Sequence, residues 1–180
     1  LSIGIFGFAS IANSQTIRIG TEGAYPPWNN LNSAGELEGA EIDFGNEACE
    51  RMGVTCEWVT QDWDGIIPAL LQGKYDIIIA GMSITEERKE KVNFTTGYMT
   101  DGARFAVLKN SGLANLNIAG MAKVNLNNAG GKEQAAIGQL IAAMDGKTVC
   151  VQSSTIHQNF LEKHMSGAVD VKLYQAVDDH

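Results

Sequence analysis

Basic side chains are in short supply in this sequence of 180 residues. Lys and Arg number 13 against 21 Asp and Glu, which gives a formal net charge of -8 at pH 7. Because the phosphates of nucleic acids require a basic surface, this deficit argues against a nucleic-acid-binding function and against adsorption to anionic lipid. A negative surface is compatible with small cationic ligands.

Catalytic and metal-binding signatures are absent as well. The sequence has no nucleophile elbow, no HExxH and no phosphate-binding loop, and its three His residues cannot be paired with a nucleophile by spacing. It has neither a CxxC pair nor a His cluster for a metal. We therefore expect a binding protein without enzymatic activity, cofactor or bound metal.

Only three cysteines are present. Cys49 and Cys56 lie on either side of a predicted helix end, and in an exported chain that pairing indicates a local disulfide. The alternative is a pair of reduced thiols in the core. Cys150 lies between Val149 and Val151, and this apolar run predicts a buried thiol.

No apolar run is long enough to span a bilayer. Residues 1–11, LSIGIFGFASI, are apolar and uncharged, and Ala12 and Ser14 stand in the right relation for signal-peptidase cleavage before Gln15. The alternative is a buried first strand or helix. We interpret residues 1–14 as the remnant of a signal peptide, which predicts an exported, periplasmic protein with no membrane insertion after cleavage.

The chain does contain alternating strand and helix patterns. In its first half they predict strands at 16–21, 56–60 and 76–80, separated by helices at 41–52 and from Asp64 or Gly65 to Gly73. This β-α-β-α-β order predicts an α/β fold with a parallel sheet. The continuous apolar run at 76–80 is typical of a strand buried on both faces.

The second half predicts another α/β lobe. Strands are expected at 103–108, 148–151 and 169–173, and helices at 134–144 and 155–164. Residues 110–131, rich in Asn, Gly and Ala, predict a long loop. We assign residues 15–101 to a first lobe and residues 102–180 to a partial second lobe.

Ligands of parallel sheets bind beyond the carboxyl ends of the strands. Arg88 follows the third predicted strand, close to Ser83, and a guanidinium can hold a carboxylate through two parallel hydrogen bonds. The alternatives are a surface residue in the charged run EERKEK for Arg88, and a helix N-cap for Ser83.

Aromatic and acidic side chains follow the first two predicted strands. Tyr25, Trp28 and Trp63 lie in loops, where aromatic rings can enclose an aliphatic stem or stack on a cation. Glu22 beside them is suited to a positive ligand end. Core packing is the alternative for Trp28, and an exposed loop carboxylate is the alternative for Glu22.

The stretch 152–155 lies between a predicted strand and a predicted helix, where helix N-terminal amides suit an anionic group. Ser154 or Thr155 is alternatively a simple helix cap. His157 follows in the first turn, and its alternative role is that of an ordinary surface residue.

Four segments together resemble the periplasmic binding proteins of the lysine/arginine/ornithine and histidine type, which serve ATP-driven importers. They are residues 20–28 (GTEGAYPPW), 61–68 (QDWDGIIP), 82–88 (MSITEER) and 152–157 (QSSTIH). Their order and spacing match the family, as do the two cysteines at 49 and 56. The resemblance implies the two-lobed type II periplasmic-binding-protein fold and delivery of a small molecule, a basic amino acid or an opine, to a membrane permease.

Site roles follow from the resemblance by position. Arg88 is expected to bind the ligand α-carboxylate, with Ser83 and Thr155 adding hydrogen bonds. Tyr25 and Trp63 are expected to enclose the ligand side chain. The complete predicted ligand-binding set is Glu22, Tyr25, Trp63, Ala80, Gly81, Met82, Ser83, Arg88, Ser154, Thr155 and His157.

The sequence departs from the family pattern in two places. Ala80 and Gly81 stand where binders of basic amino acids usually have serines, and some opine-binding relatives share the small residues and the combination of Glu22, Trp63 and His157. The family chain also continues beyond His180, so we interpret the sequence as truncated, and expect it to be poorly stable or to self-associate.

Two alternatives to a binder of basic amino acids remain on the same fold. The first is an opine-binding protein. The second is a cyclohexadienyl dehydratase acting on arogenate or prephenate, which Glu22 and the aromatic pair disfavour because they suit a cation better than an anionic ring. The sensory domain of a receptor is a further possibility.

Overall fold

The computed structural model describes residues 15–118 and 130–177, so the predicted signal-peptide remnant lies outside the described residues. The described chain forms two compact units. The first contains residues 15–61 and 65–80, and the second contains residues 62–64, 81–118 and 130–177. The predicted lobe boundaries stay a prediction.

A three-stranded parallel sheet forms the centre of the first unit. Its strands are β1 (Thr16–Thr21), β5 (Thr55–Thr60) and β6 (Ile77–Ile78), in the order β5-β1-β6. Helix α1 (Ala40–Met52) connects β1 to β5, and α2 (Ile66–Leu71) connects β5 to β6. The predicted β-α-β-α-β order is therefore confirmed.

A small antiparallel sheet was not predicted. It consists of β2 (Ala24–Tyr25), β3 (Asn29–Leu31) and β4 (Leu37–Glu38), all inserted between β1 and α1. Strands of two or three residues are too short for hydrophobic alternation to reveal them. A cis peptide bond joins Pro26 to Pro27 in the predicted turn between β2 and β3.

Helix α1 ends as the sequence predicts, at Gly53, whose φ of 67° is left-handed and is adopted by glycine without strain. Its buried face includes Ile42 and Cys49, and Cys49 forms the predicted disulfide with Cys56. Met52 was predicted on the same face, but as the last residue of the helix it is 58% exposed.

The third predicted strand is shorter and less buried than expected. β6 has two residues, and Ile77 is 40% exposed. The prediction of burial on both faces was wrong for β6: Ile77 is exposed and Ile78 is half-buried, and only the following residues, Ile79 and Ala80, are buried.

Close packing between Gly20 and Tyr75 fixes β1 against the segment before β6. A Cβ atom at Gly20 would lie 2.5 Å from the Tyr75 ring, so only glycine fits there. The Tyr75 hydroxyl donates a hydrogen bond to the Ile66 carbonyl, and burial raises the pKa of Tyr75 to about 12.

In the second unit, the short helix α3 (Glu86–Lys89) precedes α4 (Gly131–Met144), β7 (Thr148–Gln152), α5 (Ile156–Met165) and β8 (Asp170–Tyr174). β7 and β8 pair in parallel. The core contains Met144, Val149, Val151, Leu161 and Met165, against which the predicted apolar face of α4 packs.

Two predictions for the second unit were wrong. Residues 103–108 form no strand, because the segment is exposed throughout and pairs with no strand of the described chain. Cys150 is exposed rather than buried: Val149 and Val151 face the core from β7, and strand alternation turns Cys150 the other way.

The described helices are also too short or too polar for a membrane span: no helix within residues 15–118 and 130–177 could cross a bilayer.

Candidate functional site

Arg88 lies in the single turn of α3 and points two of its nitrogens at backbone carbonyls. Nη1 donates to the Ser83 oxygen at 2.9 Å, and Nη2 donates to the Ser154 oxygen at 3.2 Å. The helix N-cap is Thr85, whose Oγ1 accepts a hydrogen bond from the Arg88 backbone at 3.2 Å. The alternative that Ser83 is the cap was therefore wrong.

Trp63 brings an aromatic ring to the same carbonyl. Its indole nitrogen donates to the Ser154 oxygen at 3.0 Å, and the ring is buried. The guanidinium carbon of Arg88 lies 5.3 Å from the ring centroid, within the range of a cation–π interaction. Arg88, Trp63 and Ser154, which we call the Arg88 cluster, therefore share one location in the second unit.

The loop between β7 and α5 presents that carbonyl through an unusual backbone conformation. Ser154 has a φ of 58°, in the left-handed region that residues other than glycine rarely adopt. Its backbone nitrogen donates to Gln158 Oε1 at 2.7 Å, which holds the residue in this conformation. Strained backbone of this kind is found at binding sites more often than elsewhere.

Thr155 is the N-cap of α5. Its Oγ1 accepts from the Gln158 backbone nitrogen at 3.2 Å and donates to the Gln152 carbonyl at 2.8 Å. The capping alternative is therefore confirmed, while its predicted ligand contact stays a prediction.

Asp64 and Ser153 add a contact that the sequence did not indicate. The Ser153 hydroxyl lies 3.0 Å and 2.9 Å from the two carboxylate oxygens of Asp64. This contact connects the turn of Trp63 to the loop of Ser154. Both residues lie within the quoted segments, but nothing in their spacing shows that they meet.

Burial lowers the pKa values of two side chains in this region, Arg88 and His157. Desolvation lowers the pKa of Arg88, an effect that the nearby Glu87 partly offsets, and an arginine remains protonated in proteins. Packing around the ring lowers the pKa of His157, although part of its surface is exposed, and Asp101 partly offsets the effect. The imidazole of His157 is therefore mainly neutral at pH 7.

The other predicted site residues are distributed over both units. Glu22 directly follows β1 and Tyr25 ends β2, both in the first unit, and Ala80 is the buried last residue of that unit. Gly81 donates its backbone nitrogen to the Tyr98 hydroxyl at 3.3 Å, and Met82 and Ser83 follow it as half-buried residues of the second unit.

The Arg88 cluster has the donors needed to hold an anion. A guanidinium has five N–H groups, of which the bonds to Ser83 and Ser154 occupy two. The remaining three suffice for a bidentate carboxylate contact. Across residues 15–118 and 130–177, no group of three His, Cys, Asp or Glu side chains is placed to hold a metal ion.

Comparison with known proteins gives consistent matches. The family model of the bacterial extracellular solute-binding proteins, family 3, matches residues 17–176. The octopine-binding periplasmic protein of Rhizobium meliloti is 44% identical over 168 residues, which cover 93% of this chain and 57% of that protein. The chain thus spans little more than half the length of this relative.

Solved structures agree with the sequence matches. A periplasmic His/Glu/Gln/Arg/opine family-binding protein from Silicibacter pomeroyi, in complex with lysine, has 37% identity and a TM-score of 0.66, with coverage of 91% of this chain and 60% of that one. The ancestral amino acid-binding protein AncCDT-1, a precursor of cyclohexadienyl dehydratase, has 30% identity and a TM-score of 0.71, with coverage of 91% and 63%. The predicted α/β fold of the type II periplasmic-binding-protein kind is confirmed for the part that the chain spans.

Proposed function

This chain belongs to the bacterial extracellular solute-binding proteins of family 3, and we propose that its protein captures a basic amino acid in the periplasm. The ligand is of the arginine, ornithine, lysine or histidine type. The protein delivers it to the membrane permease of an ATP-driven importer and is not itself an enzyme. The observation that carries the proposal is the Arg88 cluster.

In the proposed complex, Arg88 binds the ligand α-carboxylate. Its two carbonyl contacts fix the plane of the guanidinium before a ligand arrives, which reduces the entropy lost on binding. The Trp63 ring lies against the guanidinium and excludes water from one side of it. Ser83 and Thr155 add hydrogen bonds, and Ala80, Gly81 and Met82 contribute mainly backbone surface.

The ligand side chain has separate partners in the proposal. Tyr25 and Trp63 contact its aliphatic part, and Glu22 neutralises its cationic end. The proposal includes the two lobes predicted from the sequence, residues 15–101 and residues 102–180. A ligand that contacts one conformation better than another shifts the population toward it, and the permease is proposed to recognise the ligand-bound conformation.

An opine is the second candidate ligand, and the 44% identity to an octopine-binding protein favours it. The small residues Ala80 and Gly81 leave room for a substituent on the α-nitrogen. An arginine-derived opine retains both the carboxylate that Arg88 would bind and a guanidinium for Glu22.

A thermal-shift screen tests the proposal on the full-length protein. Arginine, ornithine, lysine, histidine and octopine are compared, because stabilisation grows with ligand concentration over Kd and identifies the ligand. Calorimetry then measures its Kd. Absence of any shift would contradict the proposal, as would release of phenylpyruvate from prephenate or of phenylalanine from arogenate, either of which would instead establish a dehydratase.

A further inference from the structure

Buried polar groups connect the first turn of α1 to the loop after β1, all within the first unit. Glu41, which is 2% exposed, accepts a hydrogen bond from Asn29 Nδ2 at 2.7 Å through its Oε2. Asn29 is 0% exposed, and its Oδ1 accepts from the Gly23 backbone nitrogen at 2.8 Å. Gly23 directly follows Glu22 in the chain. We call Glu41, Asn29 and Gly23 the Glu41 relay.

The carboxylate determines the direction of the relay. The Asn29 amide turns its NH2 group toward the Glu41 carboxylate, whose Oε2 accepts the hydrogen bond. Its carbonyl oxygen is thereby directed at the Gly23 N–H group. Without an acceptor at position 41, the buried NH2 group of Asn29 would lack this hydrogen-bond partner. The contact that keeps the Asn29 carbonyl oxygen directed at the Gly23 N–H group would then be lost.

The same helix turn also holds the backbone between β2 and β3. The backbone nitrogens of Ala40 and Glu41 donate to the carbonyls of Pro27 and Trp28, at 3.1 Å and 2.9 Å. These helix N-terminal amides have no partner inside the helix. A Cβ atom at Gly39 would lie 2.3 Å from the Trp28 oxygen, so the two backbones are in close contact. The start of α1 therefore fixes both sides of the segment that carries Glu22 and Tyr25.

We propose that Glu41 is a positioning residue that determines ligand selectivity. It holds the loop of Glu22 and Tyr25 in the arrangement that distinguishes a cationic side chain from a neutral one of the same shape. Glu41 itself acts through Asn29 and the backbone rather than by touching the ligand. This inference rests on the proposed function, which assigns the cationic end of the ligand to Glu22.

Selectivity is measured with arginine and citrulline, which share a shape and differ in charge. In the full-length protein, Glu41→Ala should lower the ratio of the citrulline Kd to the arginine Kd by about tenfold, the order of effect of one lost buried hydrogen bond. Glu41→Gln retains an acceptor and should stay within about threefold of wild type. Tyr75→Phe removes a buried hydrogen bond elsewhere in the same unit, so it should lower Tm and leave the ratio unchanged.

Amide hydrogen exchange by NMR follows the relay without any ligand. Glu41→Ala should accelerate exchange at Gly23 at least tenfold relative to Gln61, whose backbone nitrogen donates to the Thr21 carbonyl in the sheet. Tyr75→Phe should not change this relative rate. If Glu41→Ala fails to fold, Asn29→Ala carries the same two expectations. The double variant should be no worse than the more severe single variant, because both act through one route.

The outcomes separate the positioning role of Glu41 from the proposed function. A wild-type protein that binds arginine, combined with an unchanged ratio in Glu41→Ala, would overturn the positioning role. So would unchanged exchange at Gly23, or additive losses in the double variant. Wild-type protein that binds none of arginine, ornithine, lysine, histidine and octopine would instead defeat the proposed function, while the exchange data would still show whether Glu41 holds the loop.

Discussion

Replacing Arg88 gives the most direct test of the proposed site. The bonds from Nη1 and Nη2 to the carbonyls of Ser83 and Ser154 occupy two of its five N–H groups. The three others are the only strong cationic donors that the proposal offers to the ligand carboxylate. Arg88→Ala removes them together, and Arg88→Lys substitutes a point charge that cannot form two parallel bonds.

The expected loss of binding free energy arises from the ligand carboxylate, which Arg88→Ala leaves without its charged partner. A carboxylate that is removed from water and deprived of its charged partner costs on the order of 3 kcal/mol of binding. At about 1.4 kcal/mol per factor of ten, Arg88→Ala should raise Kd by on the order of 100-fold, which would move a micromolar Kd to about 0.1 mM. Arg88→Lys retains the charge, and we expect a loss of roughly tenfold.

Isothermal titration with arginine measures these changes in the full-length protein, and thermal melting separates them from loss of fold. Lys89→Ala is the matched control, because Lys89 lies next in the chain and its pair with Glu86 is exposed. Such surface pairs contribute roughly 0–1 kcal/mol to stability. An Arg88→Ala protein that melts normally and binds arginine with unchanged Kd would refute the assignment.

Three further predictions concern stability. Reducing the Cys49–Cys56 disulfide should lower the free energy of unfolding by about 2 kcal/mol; thermal melting with and without reductant measures this, and equal Tm values would contradict it. Hydrogen bonds from the Arg18 side chain and backbone lower the pKa of Asp76 from 3.8 to about 2. The pair therefore stabilises the fold above pH 4, and this contribution is lost as pH falls from about 4 to about 2. Asp76→Asn should flatten urea stability across that window, and an unchanged slope would count against the pair. Thr21 buries a hydroxyl that has no partner in the described chain, so Thr21→Val should raise stability by roughly 1 kcal/mol, and a lower urea midpoint would show this reasoning to be wrong.

The sheet of the first unit could be predicted because each of its elements carries its own local signal. β1 has Ile17 and Ile19 on one face, β5 is a short segment rich in strand-forming residues, α1 has helical spacing, and Gly53 supplies the left-handed residue that ends α1. These signals agree with one another, and helices between strands favour parallel pairing. The order of strands and helices along the chain could therefore be predicted without knowledge of distant contacts.

Strand prediction failed where a partner or a face had to be known. Residues 103–108 have an apolar composition suited to a strand, but a strand requires a neighbour for its hydrogen bonds, and none pairs with this segment in the described chain. The prediction that Cys150 is buried failed for a related reason. A run of three apolar residues does not show which side of a strand meets the core, whereas β7 buries Val149 and Val151 and exposes the residue between them.

Arg88, Trp63 and Ser154, all predicted site residues, lie together in the structure, but the chemistry of the loop between β7 and α5 differs from the expectation. A helix N-terminus predicts free N–H groups directed at an anion. In the structure, the Thr155 hydroxyl occupies the Gln158 nitrogen, and the Gln158 side chain occupies the Ser154 nitrogen. What the loop presents to Arg88 and Trp63 is instead the Ser154 carbonyl. Backbone atoms are identical in every residue type, so no motif could have revealed an acceptor whose direction depends on one left-handed φ angle. The loop therefore orients the guanidinium that the proposal assigns to the ligand carboxylate.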